Sequence, residues 1–334
     1  MSTAELEVEG LTKYFRVGNT LFDRSRVHAV DDVTFSLRPG TITALVGESG
    51  SGKSTVARLL AKLYTPTSGR VLFDGEDLTR VRGRRRTRAY RSQVQMTFQD
   101  PFGSLNPAKT IHHHLARPLR IHDVVPSDQV EGRVHELLDA VGLVPPAKIA
   151  KKYPHELSGG QRQRVAIARA LAVEPSVVVA DEPISMLDVS IRIGILNLML
   201  DLKEQRNLSF LYVTHDLASA HYVADRVLVM YAGQIVEDGP AEAVLSTPLH
   251  PYTELLLAAV PDPAVAAPKE IEVRKGLAAA AVDPAPGCRF VDRCPIAVDV
   301  CSRVTPALVE ARPDQSARCH VRAPSPTLRE EAHV

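Results

Sequence analysis

The string G-E-S-G-S-G-K-S-T at 47–55 lies between an apolar run, T-I-T-A-L-V (41–46), and S-T-V-A-R-L-L-A-K-L (54–63), which has helical periodicity. No other feature constrains the fold as strongly. It calls for a buried strand that delivers a tight turn, and for a helix whose N-terminus faces whatever the turn encloses. The string fits G-x-x-x-x-G-K-S/T with Gly47, Gly52, Lys53 and Ser54. Glycines let successive backbone N–H groups turn inward with no Cβ in the way, which makes an anion nest. Lys53 is expected to reach the β/γ-phosphates of a nucleotide, and the Ser54 hydroxyl to ligate Mg²⁺.

Further features follow in chain order. Gln99 closes the strand-like V-Q-M-T-F-Q, which Asp100 and Pro101 then stop. Leu157-Ser158-Gly159-Gly160-Gln161 opens a strong helical pattern, 161–172, with Arg162, Arg164 and Arg169 around an apolar stripe. V-V-V-A-D-E (177–182) reads as a buried strand ending in two carboxylates, and Ser185-Met186-Leu187-Asp188 comes next. L-S-F-L-Y-V-T-H (208–215) reads as another buried strand ending in His215. Taken singly, an acidic pair after a strand is a helix cap and a strand-end histidine is structural. All of them in this order leave little room for that reading.

With these motifs the chain resembles the ATPase subunit of an ABC transporter over residues 5 to 260. The resemblance implies an α/β fold: an ABC-type core, an antiparallel β subdomain, and a helical subdomain at about 105–172 that carries L-S-G-G-Q. It also implies a head-to-tail dimer, each ATP lying between one phosphate loop and the partner's signature helix. Residues Gly47, Glu48, Ser49, Gly50, Ser51, Gly52, Lys53, Ser54 and Thr55 would then hold the phosphates. Asp181 resembles the aspartate that holds Mg²⁺ with Ser54 and Gln99. Glu182 resembles the general base, His215 the switch histidine and Gln99 the residue touching metal and water. Ser158, Gly159, Gly160 and Gln161 would clamp the partner's nucleotide, and Asp188 would cross the interface. Phe15 looks like the aromatic that stacks on adenine, with Tyr14 as competitor.

Charge and hydropathy bound the remainder. The 334 residues hold 40 Lys+Arg against 39 Asp+Glu, so there is no global pull toward nucleic acid, and none is expected as partner. Aromatic content is low, with no Trp, which argues against stacking platforms for single strands. Seven arginines between 80 and 91 (Arg80, Arg82, Arg84, Arg85, Arg86, Arg88, Arg91) read as a solvated helix face or loop, with contact to lipid headgroups or a partner's acidic surface as the alternative. His112-His113-His114 do not suit a metal, because consecutive histidines cannot all face one ion from a helix. No segment approaches the roughly 20 apolar residues of a membrane span. The chain is therefore expected to be cytosolic; if it powers transport, as the resemblance implies, it would sit at the cytoplasmic face of the membrane with the pore in other polypeptides.

From 261 the composition shifts to Ala- and Pro-rich linker, followed by all four cysteines: Cys288, Cys294, Cys301 and Cys319. Such clustering in a cytosolic chain argues against disulfides and suits zinc or an iron–sulfur cluster. The absence of C-x₂-C knuckles favours iron–sulfur over zinc; four unliganded thiols packing a small extension is the alternative. His250-Pro251-Tyr252-Thr253 with this extension resembles oligopeptide/dipeptide importer ATPases, some of which carry a 4Fe–4S cluster. The segments 18–26, 98–107 and 116–122 look like the second, F-type ATPase. That implies a D-type ATPase partner, two permeases and an extracytoplasmic solute-binding protein. One departure is Ile184-Ser185-Met186-Leu187-Asp188, where peptide-type members read Thr-Ser-Ala-Leu-Asp. It resembles relatives importing oligosaccharides such as β-glucosides, which leaves the cargo open. Rival readings from other classes are a soluble ABC ATPase of repair or translation and a P-loop kinase.

Overall fold

The computed structural model describes residues 5–17, 25–79, 83–259 and 282–325. Most of the 18–26 insertion, Arg80, Arg82 and the linker from 260 to 281 lie outside the described residues.

The strands are β1 (Leu6–Arg16), β2 (Arg26–Leu37), β3 (Ile42–Val46), β4 (Ser68–Phe73), β5 (Glu76–Asp77), β6 (Val94–Thr97), β7 (Val177–Asp181), β8 (Ser209–Thr214), β9 (Arg226–Tyr231), β10 (Gln234–Pro240), β11 (Val309–Arg312) and β12 (Gln315–Ala317). The helices are α1 (Lys53–Leu60), α2 (Arg84–Gln93), α3 (Pro101–Ser104), α4 (Ile111–Ile121), α5 (Val130–Ala140), α6 (Pro146–Lys151), α7 (Gly159–Leu171), α8 (Val189–Arg206), α9 (Leu217–Val223), α10 (Ala241–Ser246) and α11 (Pro251–Ala258).

Among the described residues these strands form two sheets. One is antiparallel, in the order β2-β1-β4-β5; the other runs β11-β12-β10-β9-β3-β8-β7-β6. In the larger sheet the pairs β6/β7, β7/β8, β8/β3 and β3/β9 are parallel. Its central strands β3, β7 and β8 are buried throughout and mostly apolar because both faces are covered. Ile42, Ala44, Val46, Val178, Ala180, Phe210 and Tyr212 enter the core shared with the helices. Their alternates, Leu45, Val177, Val179, Leu211 and Val213, enter the core shared with the antiparallel sheet and α1. The period of two distributes a continuous apolar run to two cores.

Helices α4 to α7 follow one another between residues 111 and 171. The arginine-rich stretch becomes α2, whose Arg84, Arg85, Arg86, Arg88 and Arg91 are exposed while Tyr90 is buried. β9 and β10 join through Ala232-Gly233, both at positive φ (45° and 89°), which is the twist a two-residue hairpin needs.

The cysteine-bearing extension does not stand apart. β12 pairs with β10 (Glu237↔Ala317, Asp238↔Ser316) and β11 pairs with β12, so the extension continues the larger sheet. Fully buried Glu237 locks this junction. Its carboxylate accepts from the N–H groups of Leu249 and His250 (2.7 and 2.9 Å), from the Thr253 hydroxyl (2.6 Å) and from Gln315 Nε2 (2.9 Å).

Candidate nucleotide site

Four parallel strands end on one edge of the large sheet, and the chain places a polar group after each. The phosphate loop follows β3, Gln99 lies just past β6, Glu182 follows β7, and His215 follows β8. The carboxyl edge of a parallel sheet, where loops and helix N-termini converge, is where such folds bind ligands.

The loop's shape requires its glycines. Gly47 (φ 151°) and Gly52 (φ 110°) lie in backbone regions that L-residues avoid. A Cβ on Gly47 would meet the Met230 carbonyl at 2.2 Å, and one on Gly52 the Ala29 carbonyl at 2.0 Å. Lys53 curls back into the loop: its ammonium donates to the carbonyls of Gly47 (2.7 Å) and Glu48 (2.9 Å) and stands 3.5 Å from Ser51 Oγ. Burial lowers the Lys53 pKa, opposed by the nearby charges of Glu182, Asp181 and Glu48. Ser49, Gly50, Gly52, Lys53, Ser54 and Thr55 line one cleft together with Val27, His28, Ala29, Gln99, Glu182 and Ala232.

Ser54 and Asp181 meet directly, the hydroxyl donating to Oδ1 at 2.9 Å. Burial raises the Asp181 pKa and the Ser54 bond opposes the rise. An alcohol and a carboxylate, with the Gln99 amide beside them, are the hard oxygen donors that Mg²⁺ accepts. Gln99 Nε2 donates to Glu182 Oε2 at 2.9 Å, and His215 Nδ1 lies 3.2 Å from Glu182 Oε1. Glu182 itself has φ 46°, a left-handed backbone that costs a non-glycine residue of order 1–3 kcal/mol. Its N–H is held by the Val213 carbonyl at 2.9 Å, and its own carbonyl accepts from Ser185 Oγ at 3.0 Å. Lys53, Ser54, Asp181, Gln99, Glu182 and His215 thus lie together at this edge, while the Glu48 carboxylate turns away to Arg293.

The signature lies elsewhere. None of Ser158, Gly159, Gly160 and Gln161 is among the residues lining that cleft. Ser158 Oγ accepts from Gln161 N–H (3.3 Å) while the Gln161 side chain accepts from Ser158 N–H (3.1 Å), a capping box at the start of α7. Gly160 is packed so closely that a Cβ would meet Ile191 Cγ2 at 2.4 Å. Asp188 occupies the N-cap position of α8, where Met186, Val189 and Ile193 leave apolar surface exposed.

Phe15 and Tyr14 separate. The Tyr14 hydroxyl donates to Asp31 Oδ1 at 2.5 Å, and its ring stacks on His28 with centroids 3.8 Å apart. Burial and the Asp31 bond push Tyr14 up to about 12. Half-buried Phe15 stands edge-on to Tyr64 (5.5 Å), with the Lys13 ammonium 5.2 Å from its ring centroid. Phe15 is not among the cleft-lining residues, although its register partner Val27 is. His28 also lines the cleft directly; a lone polar residue in a β-rich run carries no sequence signal for this.

The four thiols do not bear out a metal centre. Among the described residues no group of three or more His, Cys, Asp or Glu side chains is disposed to hold a metal ion. Cys301 and Cys319 are buried, and burial pushes the Cys288 thiol up to about 11 and raises that of Cys294. The described arrangement therefore lends no support to the anticipated 4Fe–4S cluster. His112, His113 and His114 form no ligand set either; His114 is buried, with Nε2 3.1 Å from the Asn106 carbonyl.

Comparison with known proteins agrees with this geometry. The ABC transporter family model matches residues 30–185, and the model for the oligopeptide/dipeptide transporter C-terminal region matches 236–301. The chain is 42% identical to the oligopeptide transport ATP-binding protein AppF of Bacillus subtilis, covering 95% of this chain and 97% of the relative. It is 45% identical to a protein of Sinorhizobium fredii described as a probable peptide ABC transporter ATP-binding protein, over 97% and 92%. Among solved structures it resembles the ATP-binding cassette MJ0796 in a dimeric post-hydrolysis state bound to ADP and Pi. The TM-score is 0.62 at 28% identity, covering 71% of this chain and 98% of that one.

Proposed function

Since this chain belongs to the ABC transporter family of ATP-binding subunits, with the C-terminal region of its oligopeptide/dipeptide branch, we propose that it hydrolyses ATP to drive peptide import. The observation that carries the reading is the convergence of Lys53, Ser54, Asp181, Gln99, Glu182 and His215 on one sheet edge. Peptide is the cargo that the relatives' names favour; they favour neither the oligosaccharide reading raised by Met186 nor a repair or translation ATPase.

In the proposed mechanism the loop N–H groups and Lys53 hold the β- and γ-phosphates, Lys53 exchanging its two carbonyl partners for phosphate oxygens. Ser54, Asp181 and Gln99 would hold Mg²⁺, which would supply positive charge to offset that of the phosphates. Glu182 takes the proton of the attacking water, with Gln99 and His215 fixing its carboxylate from either side. His215 also contacts the γ-phosphate. Phe15 takes the adenine ring, being the strand partner of cleft-lining Val27 while Tyr14 is committed to Asp31. Ser158, Gly160 and the N-terminus of α7 close over a partner's nucleotide, with Asp188 crossing the same interface; a helix N-terminus suits a phosphate.

Among the described residues no helix is long and apolar enough to cross a membrane, so the pore is assigned to other subunits. We place the chain at the cytoplasmic face as the F-type ATPase beside a D-type ATPase, two permeases and a solute-binding protein. The test is ATP-dependent peptide uptake into vesicles holding the assembled transporter. Uptake and hydrolysis should both be lost on Ser158→Arg, and turnover untouched by that substitution would defeat the two-protomer site.

A further inference from the structure

The extension returns to the phosphate loop at one residue. Arg293 ends a 3₁₀ turn, Val291–Arg293, between Cys288 and Cys294. Its two terminal nitrogens donate to the two oxygens of Glu48 at 3.0 and 2.9 Å, a fork-to-fork pair spanning 245 positions of sequence. The guanidinium is shelved on aromatic rings, its carbon 5.6 Å from the Phe290 centroid and 5.7 Å from that of Tyr231. The Glu48 N–H donates to the Tyr252 hydroxyl at 2.8 Å. Glu48 is therefore held at both ends, main chain by Tyr252 and side chain by Arg293.

This grip has a chemical purpose. Glu48 sits in an anion nest, next to Gly47 and with its carbonyl on the Lys53 ammonium. A free carboxylate there would repel the phosphates and compete for Lys53. Instead it points to Arg293, and Glu48 is not among the residues lining the cleft. We infer that Arg293 is a positioning residue for the phosphate loop: it neutralises the Glu48 carboxylate and keeps it clear of Lys53 and the phosphates, so that the extension sets the loop's affinity for ATP. This rests on the nucleotide reading above.

The test is a double-mutant cycle on full-length protein, with MgATP affinity measured by fluorescent-nucleotide titration. Arg293→Met should raise the Kd about tenfold or more. Adding Glu48→Gln should bring it back to within about threefold of wild type, because the carboxylate that needed neutralising is gone. In the hydrolysing complex Arg293→Met should raise KM while leaving kcat within about twofold. Should Arg293→Met not fold, Arg293→Lys keeps a charge without the fork; it should bind about two- to fivefold more weakly, again relieved by Glu48→Gln. Unchanged affinity in Arg293→Met, or no rescue by Glu48→Gln, overturns the inference while the nucleotide reading stands. Wild-type protein that binds no MgATP overturns both.

Discussion

Gln99 and His215 engage opposite oxygens of Glu182, at 2.9 Å on Oε2 and 3.2 Å on Oε1. Both partners come from strands flanking β7, so the carboxylate is oriented by the sheet before any water arrives. Glu182→Gln should keep the shape of this triad and lose the base. Hydrolysis should fall by about 10²–10⁴-fold, roughly 3–5 kcal/mol of barrier, with ATP affinity little changed. Phosphate release and equilibrium binding on the same preparation check it; near wild-type turnover would remove Glu182 from the role.

Base recognition separates two neighbouring aromatics. Stacking of a nucleobase on an aromatic ring is worth about 1–3 kcal/mol. Phe15→Ala should therefore weaken ATP binding about tenfold and leave competition by inorganic triphosphate unchanged. Tyr14→Phe, which removes only the Asp31 bond, should bind ATP like wild type. The reverse pattern would move the adenine to Tyr14 and His28.

His250 makes stability depend on pH. It is fully buried at the start of α11, where Nδ1 accepts from Tyr252 N–H at 3.1 Å. Burial, aided by the charge of Arg322, pushes its pKa down to about 3 from an ordinary value near 6.5. The unfolded chain then binds a proton that the folded one refuses. The contribution is whole above about pH 6.5 and declines as pH falls toward 3, by about 1.4 kcal/mol per unit. Asn can cap without titrating, so His250→Asn should lose about 2 kcal/mol less than wild type between pH 7.5 and 5. Urea midpoints at the two pH values measure this, and equal slopes would refute it.

Ser158 has two duties that one substitution can separate. Its hydroxyl caps α7, and loss of such a cap costs about 1 kcal/mol. Ser158→Asn should retain the cap and the melting temperature, because Asn is a good N-cap, yet lower ATP turnover in the assembled complex by at least tenfold. Wild-type turnover in that variant would confine Ser158 to capping.

Much of this was legible because the elements are local. An apolar run flanked by glycine-rich turn and helix could only be a doubly covered strand, and the structure splits Ile42, Ala44 and Val46 from Leu45 accordingly. Gln99, Glu182 and His215 could be read because each follows such a run. What escaped was long-range. Nothing near Arg293 announces Glu48, and nothing near Tyr252 announces the loop's N–H, so His250-Pro251-Tyr252-Thr253 stood only as a family mark. In the structure His250 caps, Tyr252 holds the loop and Thr253 satisfies Glu237. For the cysteines, closeness in sequence suggested ligands, whereas the fold gives two buried and two partly buried thiols with no metal-holding group among the described residues.

The distance along the chain between Glu48 and Arg293 also has a bearing on biosynthesis. The loop leaves the ribosome 245 residues ahead of the arginine that completes it. At elongation rates of roughly 5–20 residues per second, the interval is on the order of 10–50 s. Over that time the nascent chain exposes a turn that already has its glycines and lysine but lacks its counter-charge. The loop is thus made well before the residue that neutralises its carboxylate.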